Sequence, residues 1–150
     1  MAAGKFHFYN TAVKLIADGT ISLAGNITAV PLTEGYTPST ASDSAYGNFS
    51  TQHSTASATI VATITLANVR VTGSGANSVK WMADDISGFS RSGETIPSMK
   101  YCALLAADSA TAAAPAIGFI NLNTGGSVGE STQVNITWPS GVIADLVGNP

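Results

Sequence analysis

Short runs in which apolar and polar residues alternate follow one another along most of this chain. At its start, Phe6 and Phe8 alternate with Lys5, His7 and Tyr9. A period of two is typical of strands that bury one face. Clusters of Gly, Asn, Asp, Ser and Pro separate the runs, so the pattern predicts eight or nine short strands. Beyond the first, the clearest runs are residues 27–33, 59–72, 79–81, 101–106, 117–122 and 134–138.

The residues after the first run continue the alternation. Val13 and Leu15 fall on one face with Lys14 opposite, which predicts another strand. Asp18-Gly19 is a dipeptide typical of hairpin turns and precedes Ile21 and Leu23. In the run 27–33, Pro31 has no N–H to donate, so it predicts a sheet edge or a bulge at that position.

The alternation changes phase once, within residues 59–72. Ile60, Ala62, Ile64 and Leu66 share one parity, whereas Val69 and Val71 have the other. A slip of one residue would turn the apolar set toward solvent unless the chain bends there. The sequence therefore predicts a bulge or a tight corner at residues 67–68.

The number and spacing of these strands predict an all-β fold, a single antiparallel β-sandwich that is Ig-like or jelly-roll-like. With 150 residues and 15.1 kDa the chain has room for one domain, which we place at residues 1–150. Residues 34–57 lack strand character and predict a long loop, a form that is often a contact surface.

Charge is scarce, at 10% of residues with a net charge of −3. Serine and threonine take its place, with 17 of each. The acidic balance argues against nucleic acid as a partner, and no apolar run is long enough to cross a membrane. A single cysteine excludes an internal disulfide and multi-cysteine metal sites. The N-terminus does not resemble a secretory leader, so export by a signal peptide is not expected.

Few residues offer chemistry. Asp84 and Asp85 are adjacent, so on a strand their carboxylates would face opposite sides, and hydrogen bonds to turn amides are the favoured interpretation. Cys102 lies in an apolar run and is favoured as a core residue over a nucleophile paired with a histidine. Trp81 and Trp138 are favoured as core residues over a sugar-stacking platform. We therefore expect no enzyme, no cofactor and no metal.

The order of several segments resembles that of small β-rich virion structural proteins of tailed bacteriophages. The N-terminal Lys-Phe-His-Phe-Tyr-Asn string and a strand leading into a Tyr-Thr-Pro loop are similar to segments common in that family. The most specific piece is the closing string at residues 134–142. The segments that carry the resemblance are residues 5–10, 12–14, 19–23, 29–33, 35–38, 83–86, 99–105, 117–122 and 134–142.

The resemblance implies a virion structural role, and a capsid decoration or cement protein at the capsid surface is the favoured version. Such a protein would bind across joints between major capsid protein subunits. Because shells present local threefold positions, a homotrimer is the expected oligomer. The alternative is a tail or tail-fibre module that recognises host surface glycans.

Contacts with the shell are predicted at an N-terminal arm, residues 1–9, and at the loop 34–57. Both segments carry aromatic residues expected to be exposed, and aromatic residues commonly anchor interfaces. On this hypothesis, deletion of residues 1–9 leaves a folded domain that no longer binds particles. The predicted contact residues are Phe6, Phe8, Tyr9, Tyr36, Tyr46 and Phe49.

Overall fold

A computed structural model describes residues 4–33, 35–51, 63–73, 79–90, 99–122 and 133–146. The predicted all-β, antiparallel, sandwich-like fold is confirmed, with one short helix in addition. The helix is α1 (Asn10–Ala17), and short 3₁₀ turns lie at Tyr46–Asn48 and Pro139–Gly141. The strands are β1 (Phe6–Phe8), β2 (Thr28–Thr33), β3 (Ile64–Thr65), β4 (Arg70–Thr72), β5 (Lys80–Met82), β6 (Ile86–Ser90), β7 (Met99–Leu105), β8 (Ala116–Asn121), β9 (Gln133–Ile136) and β10 (Val142–Asp145).

The largest sheet has five strands in the order β1-β8-β7-β2-β3, all antiparallel. The pairings of β7 with β2 and β8 are its longest and form its centre. Pairing of β2 with β3 is described at Thr28 and Ala29, and the pairing of β2 with β7 shifts register beside Pro31, between Leu32 and Thr33. Residue 62, which the register would place opposite Pro31, lies outside the described residues, so the edge at Pro31 stays a prediction.

Two small sheets form the second layer, with the orders β10-β5-β4 and β6-β9. β3 belongs to the large sheet and β4 to a small one, so the chain changes layer between them. Asn68, with a φ of 52°, makes that turn in the left-handed region. The corner predicted at residues 67–68 is confirmed.

Both faces of the large sheet are covered. One face packs against the small sheets through a cluster that includes Trp81, Trp138 and Cys102. The opposite face packs against α1 and the segment 35–51, with Tyr9 and Phe49 fully buried. β8 contributes to both clusters and is buried along nearly its whole length.

The strand predicted around Val13 is wrong, because this segment forms α1 instead. Ala12 packs in the cluster that holds Phe49, and Leu15 and Ile16 pack against the cluster that holds Trp81. Their spacing of three and four residues is that of one helix face. The predicted hairpin turn at Asp18-Gly19 is also wrong. Asp18 caps the end of the helix, and Gly19 follows it with a φ of 80°, the usual glycine position after a helix.

The description of residues 1–9 as an arm is corrected for residues 4–9. Phe6–Phe8 forms the outer strand of the large sheet, and Tyr9 donates its backbone N–H to the Ile117 carbonyl at 3.0 Å. β1 lies so close to β8 that a Cβ on Gly118 would approach the His7 carbonyl oxygen within 2.2 Å. This segment is part of the folded sheet.

Candidate functional site

The six aromatic residues predicted as exposed contacts divide into two groups. The side chains of Phe6, Tyr9, Tyr36 and Phe49 are buried, with at most 6% of their surface exposed. Their predicted exposure is wrong, because they form the two clusters on the large sheet. Phe8 and Tyr46 are partly exposed, and each also packs against a core ring, Phe8 against Trp81 and Tyr46 against Phe49.

A buried hydrogen-bonded chain fastens the segment 35–51 to the sheet. The Tyr36 hydroxyl donates to Oδ2 of Asp43, so the Tyr9 hydroxyl, 2.7 Å away, donates to Tyr36. The same Asp43 oxygen accepts the backbone N–H of Ser39 at 3.0 Å. Asp43 is only 8% exposed, and these donors replace the water that its carboxylate loses. The predicted loop is thus packed against the sheet along its described part, residues 35–51.

Burial raises the pKa of both Tyr9 and Tyr36 far above the ordinary value for tyrosine. At Tyr36 the hydrogen bond to Asp43 raises the pKa further, because it stabilises the protonated hydroxyl. Both phenols therefore stay neutral over the physiological range. The arrangement holds two segments of the fold together.

These shifts predict a loss of stability in alkali. The folded state holds both protons above pH 10, whereas the unfolded state releases them near pH 10, so stability is complete below pH 10 and falls above it. Each tyrosine adds a slope of up to about 1.4 kcal/mol per pH unit. In urea unfolding between pH 8 and pH 11, Tyr36→Phe is expected to show a shallower decline than the parent. An equal decline in both proteins would contradict this account.

The acidic pair occupies the junction between the small sheets. Asp84 accepts a hydrogen bond from the Asn68 side-chain amide, and Asp85 accepts the Trp138 backbone N–H at 2.8 Å. The Trp138 indole N–H donates to the Asp84 carbonyl at 3.0 Å. Asp85 thus bonds a backbone amide, as the sequence predicts, but that amide belongs to a distant segment. The two carboxylates serve different partners and do not converge on a common point.

Both tryptophans lie in the core, which confirms the interpretation of these residues from the alternation. Trp81 is fully buried, and its indole N–H donates to the Leu23 carbonyl at 2.7 Å. Trp138 is 2% exposed. Neither ring is available to stack on a sugar.

Cys102 is fully buried in the centre of β7, which confirms its assignment to the core. Burial raises the pKa of its thiol to about 12. His7 lies exposed on the opposite face of the sheet, stacked on Phe119, while His53 lies outside the described residues. Among the described residues no group of three or more potential metal ligands occurs.

Because only the thiolate is nucleophilic, Cys102 is expected to be unreactive in the folded protein. A disulfide reagent added at pH 8 should label it only after the chain unfolds. The measurement is the release of the coloured thiol with and without denaturant. Rapid labelling of one thiol per chain under native conditions would show that this cysteine is accessible after all.

A groove of about 630 Å³ separates β1 from β10. Within the described residues, β1 is an outer strand of the large sheet and β10 an outer strand of the neighbouring small sheet. Partly exposed apolar groups, including Phe8 and Val142, line it together with Lys5, Lys80 and Asp145. The alternation of apolar and polar residues does not predict this groove, because it identifies strands but not which of them lie at sheet edges.

Comparisons with protein-family models, curated proteins and solved structures find no match to this chain. Across the described residues, no helix has the length and apolar character that crossing a membrane requires.

Proposed function

We propose that this chain is a virion structural protein, and specifically a capsid decoration protein that binds across joints between major capsid protein subunits. The observation that carries the proposal is that the polar and reactive side chains have structural roles. Hydrogen bonds that join segments of the fold involve the side chains of Asp43, Asp84, Asp85 and both tryptophans. Such a protein acts through its surface.

The surface suits close packing against other protein. With 10% charged residues and many small hydroxyl-bearing ones, little ionic solvation is lost when it is covered. Burying neutral polar groups against a partner costs less than burying ions. The order of segments that resembles β-rich phage virion proteins supports the same role.

The contact surface proposed here differs from the one that the sequence predicts. Four of the six predicted aromatic contacts are already used inside the fold, which leaves Phe8 and Tyr46. Phe8, the last residue of β1, lines the groove between β1 and β10, so we place the principal contact with the shell in that groove. A homotrimer at local threefold positions remains part of the proposal.

Copy number in purified particles tests the proposal. Quantitative mass spectrometry of virions, with the major capsid protein as the internal reference, is expected to find hundreds of copies of this chain per particle. A few to tens of copies would place it in the tail, in agreement with the fibre alternative. Particles that lack the chain altogether would exclude both versions.

A further inference from the structure

The backbone of β1 has hydrogen-bonding groups with no strand beside them in the described structure. Tyr9 and Ile117 form a hydrogen-bonded pair of the ladder, and the His7 carbonyl approaches Gly118 on β8. In an antiparallel ladder the residues between such pairs turn their N–H and C=O outward. Phe6 and Phe8 therefore direct their main-chain groups away from β8, toward the open edge.

The other wall of the groove is β10, which also directs main-chain groups away from its described partner strand. Leu146 donates its N–H to the Val79 carbonyl, and Asp145 is paired with Lys80 in the next register position. By the same alternation, the main-chain groups of Asp145 face away from β5. A Cα register shift between Val142 and Ala144 bends this strand. The groove thus lies between two open sheet edges, with apolar side chains at its base.

The charged residues that line the groove indicate which sign of charge an occupant should carry. Lys5, Lys80 and Asp145 line it, so its formal balance is positive although the chain as a whole carries −3. Among the described residues the only ion pair joins Lys14 to Asp18, which lie on α1 and its cap. Neither groove lysine therefore forms an ion pair with a described acidic residue, although Asp145 lies opposite Lys80 across the β10–β5 pairing and offsets one of the two positive charges.

We propose that the groove binds an extended, acidic peptide segment of another protein, which adds to β1 as a sixth strand of the large sheet. Its backbone would pair with the outward N–H and C=O groups of Phe6 and Phe8. Its apolar side chains would pack against Phe8 and Val142, and its carboxylates would lie near Lys5 and Lys80. This inference goes beyond the proposed function, since it specifies how a partner is held and not where the partner comes from.

A second copy of the chain is the less favoured occupant. Its own net charge is negative, but β1 is short, and residues 4–10, which a symmetric antiparallel pairing of two copies would bring together, contain no acidic residue. Lys5 would therefore find no carboxylate opposite it in such a pairing. The test below separates the two occupants.

The probes are acetylated eight-residue peptides in which glutamates alternate with valine, leucine, phenylalanine or threonine, together with lysine versions of each. Titration calorimetry with the full chain is expected to detect binding of at least one acidic peptide and much weaker binding of its lysine version. In the complex, amide exchange measured by NMR is expected to slow at Phe6 and Phe8.

A double variant, Lys5→Glu with Lys80→Glu, is expected to bind the acidic peptide about tenfold more weakly. Lys14→Glu is the matched control, because Lys14 is exposed on the helix outside the groove, and it should bind like the parent. Circular dichroism verifies that each variant is folded.

Three results would overturn the proposal: no peptide binding at millimolar concentration, binding without slower exchange at Phe6 and Phe8, or equal binding by the double variant. Protection of β1 in the free protein that grows with protein concentration would also overturn it, because a second copy would then occupy the edge. Each outcome is independent of copy number in virions, so failure here leaves the decoration proposal intact.

Discussion

Deletion of residues 1–9 is expected to unfold the chain. It removes β1 from the large sheet and with it the buried Phe6 and Tyr9 side chains. Loss of one buried aromatic side chain costs about 3–5 kcal/mol, and a domain of this size is stable by only about 5–15 kcal/mol in total. Far-UV circular dichroism of the purified variant should show no cooperative thermal transition.

Deletion of residues 1–3 is the matched control. It keeps β1, the Tyr9–Ile117 backbone bond and the Tyr9–Tyr36 hydrogen bond in place. This shorter variant is expected to unfold cooperatively near the parent temperature. If the longer deletion also retained the parental transition, residues 4–9 would be an appendage, as the sequence analysis expects, and the described sheet edge would be wrong.

Replacement of Trp81 by alanine is expected to have the largest effect of any single substitution in the second layer. The indole is fully buried against Phe6 and Phe8, so its removal costs about 3–5 kcal/mol. Loss of the N–H also leaves the Leu23 carbonyl without this donor. Urea unfolding followed by circular dichroism measures the change.

Two further variants separate the contribution of ring burial from that of the indole hydrogen bond. Trp81→Phe keeps much of the ring and loses the N–H, so it should cost about 1–3 kcal/mol. Val71→Ala is the control, since Val71 is the cross-strand partner of Trp81 but is 43% exposed, and it should change stability by less than about 0.5 kcal/mol. A Trp81→Ala effect no larger than that of Val71→Ala would contradict the assignment of Trp81 to the core.

The fold class follows from the sequence because alternation directly reports a buried and an exposed side. The corner at residues 67–68 is equally predictable, since a change of phase without a bend would expose the apolar set. Helix α1 is harder. Val13 and Leu15 satisfy the strand pattern while Ala12, Leu15 and Ile16 satisfy the helical one, and eight residues give too short a window to decide.

The contact residues could not be predicted in the same way. An aromatic residue in a Gly- and Ser-rich loop has the same local sequence whether it is exposed or folded back. Tyr36 and Phe49 are buried because the segment 35–51 lies on the sheet, held by the hydrogen bond from the Tyr9 hydroxyl to Tyr36. That bond joins the loop to a residue distant in sequence, and periodicity carries no information about it.

The groove is a property of topology. β1 and β10 are the first and last strands of the chain, and their open edges become neighbours only when two different sheets pack together. Alternation predicts β1 as a strand but does not predict its place at an edge. The main-chain groups of β1 that no described strand pairs with, and the lysines beside them, can therefore be recognised only in the folded chain.

The most direct test of the account is a binding titration on capsids that lack this protein. Purified chain added to such capsids is expected to bind saturably, at a fixed ratio to the major capsid protein, and to raise the temperature at which the shells rupture. Binding should weaken in the Lys5→Glu, Lys80→Glu double variant if the groove makes the contact. No binding to capsids, together with binding to isolated tails, would contradict the central claim.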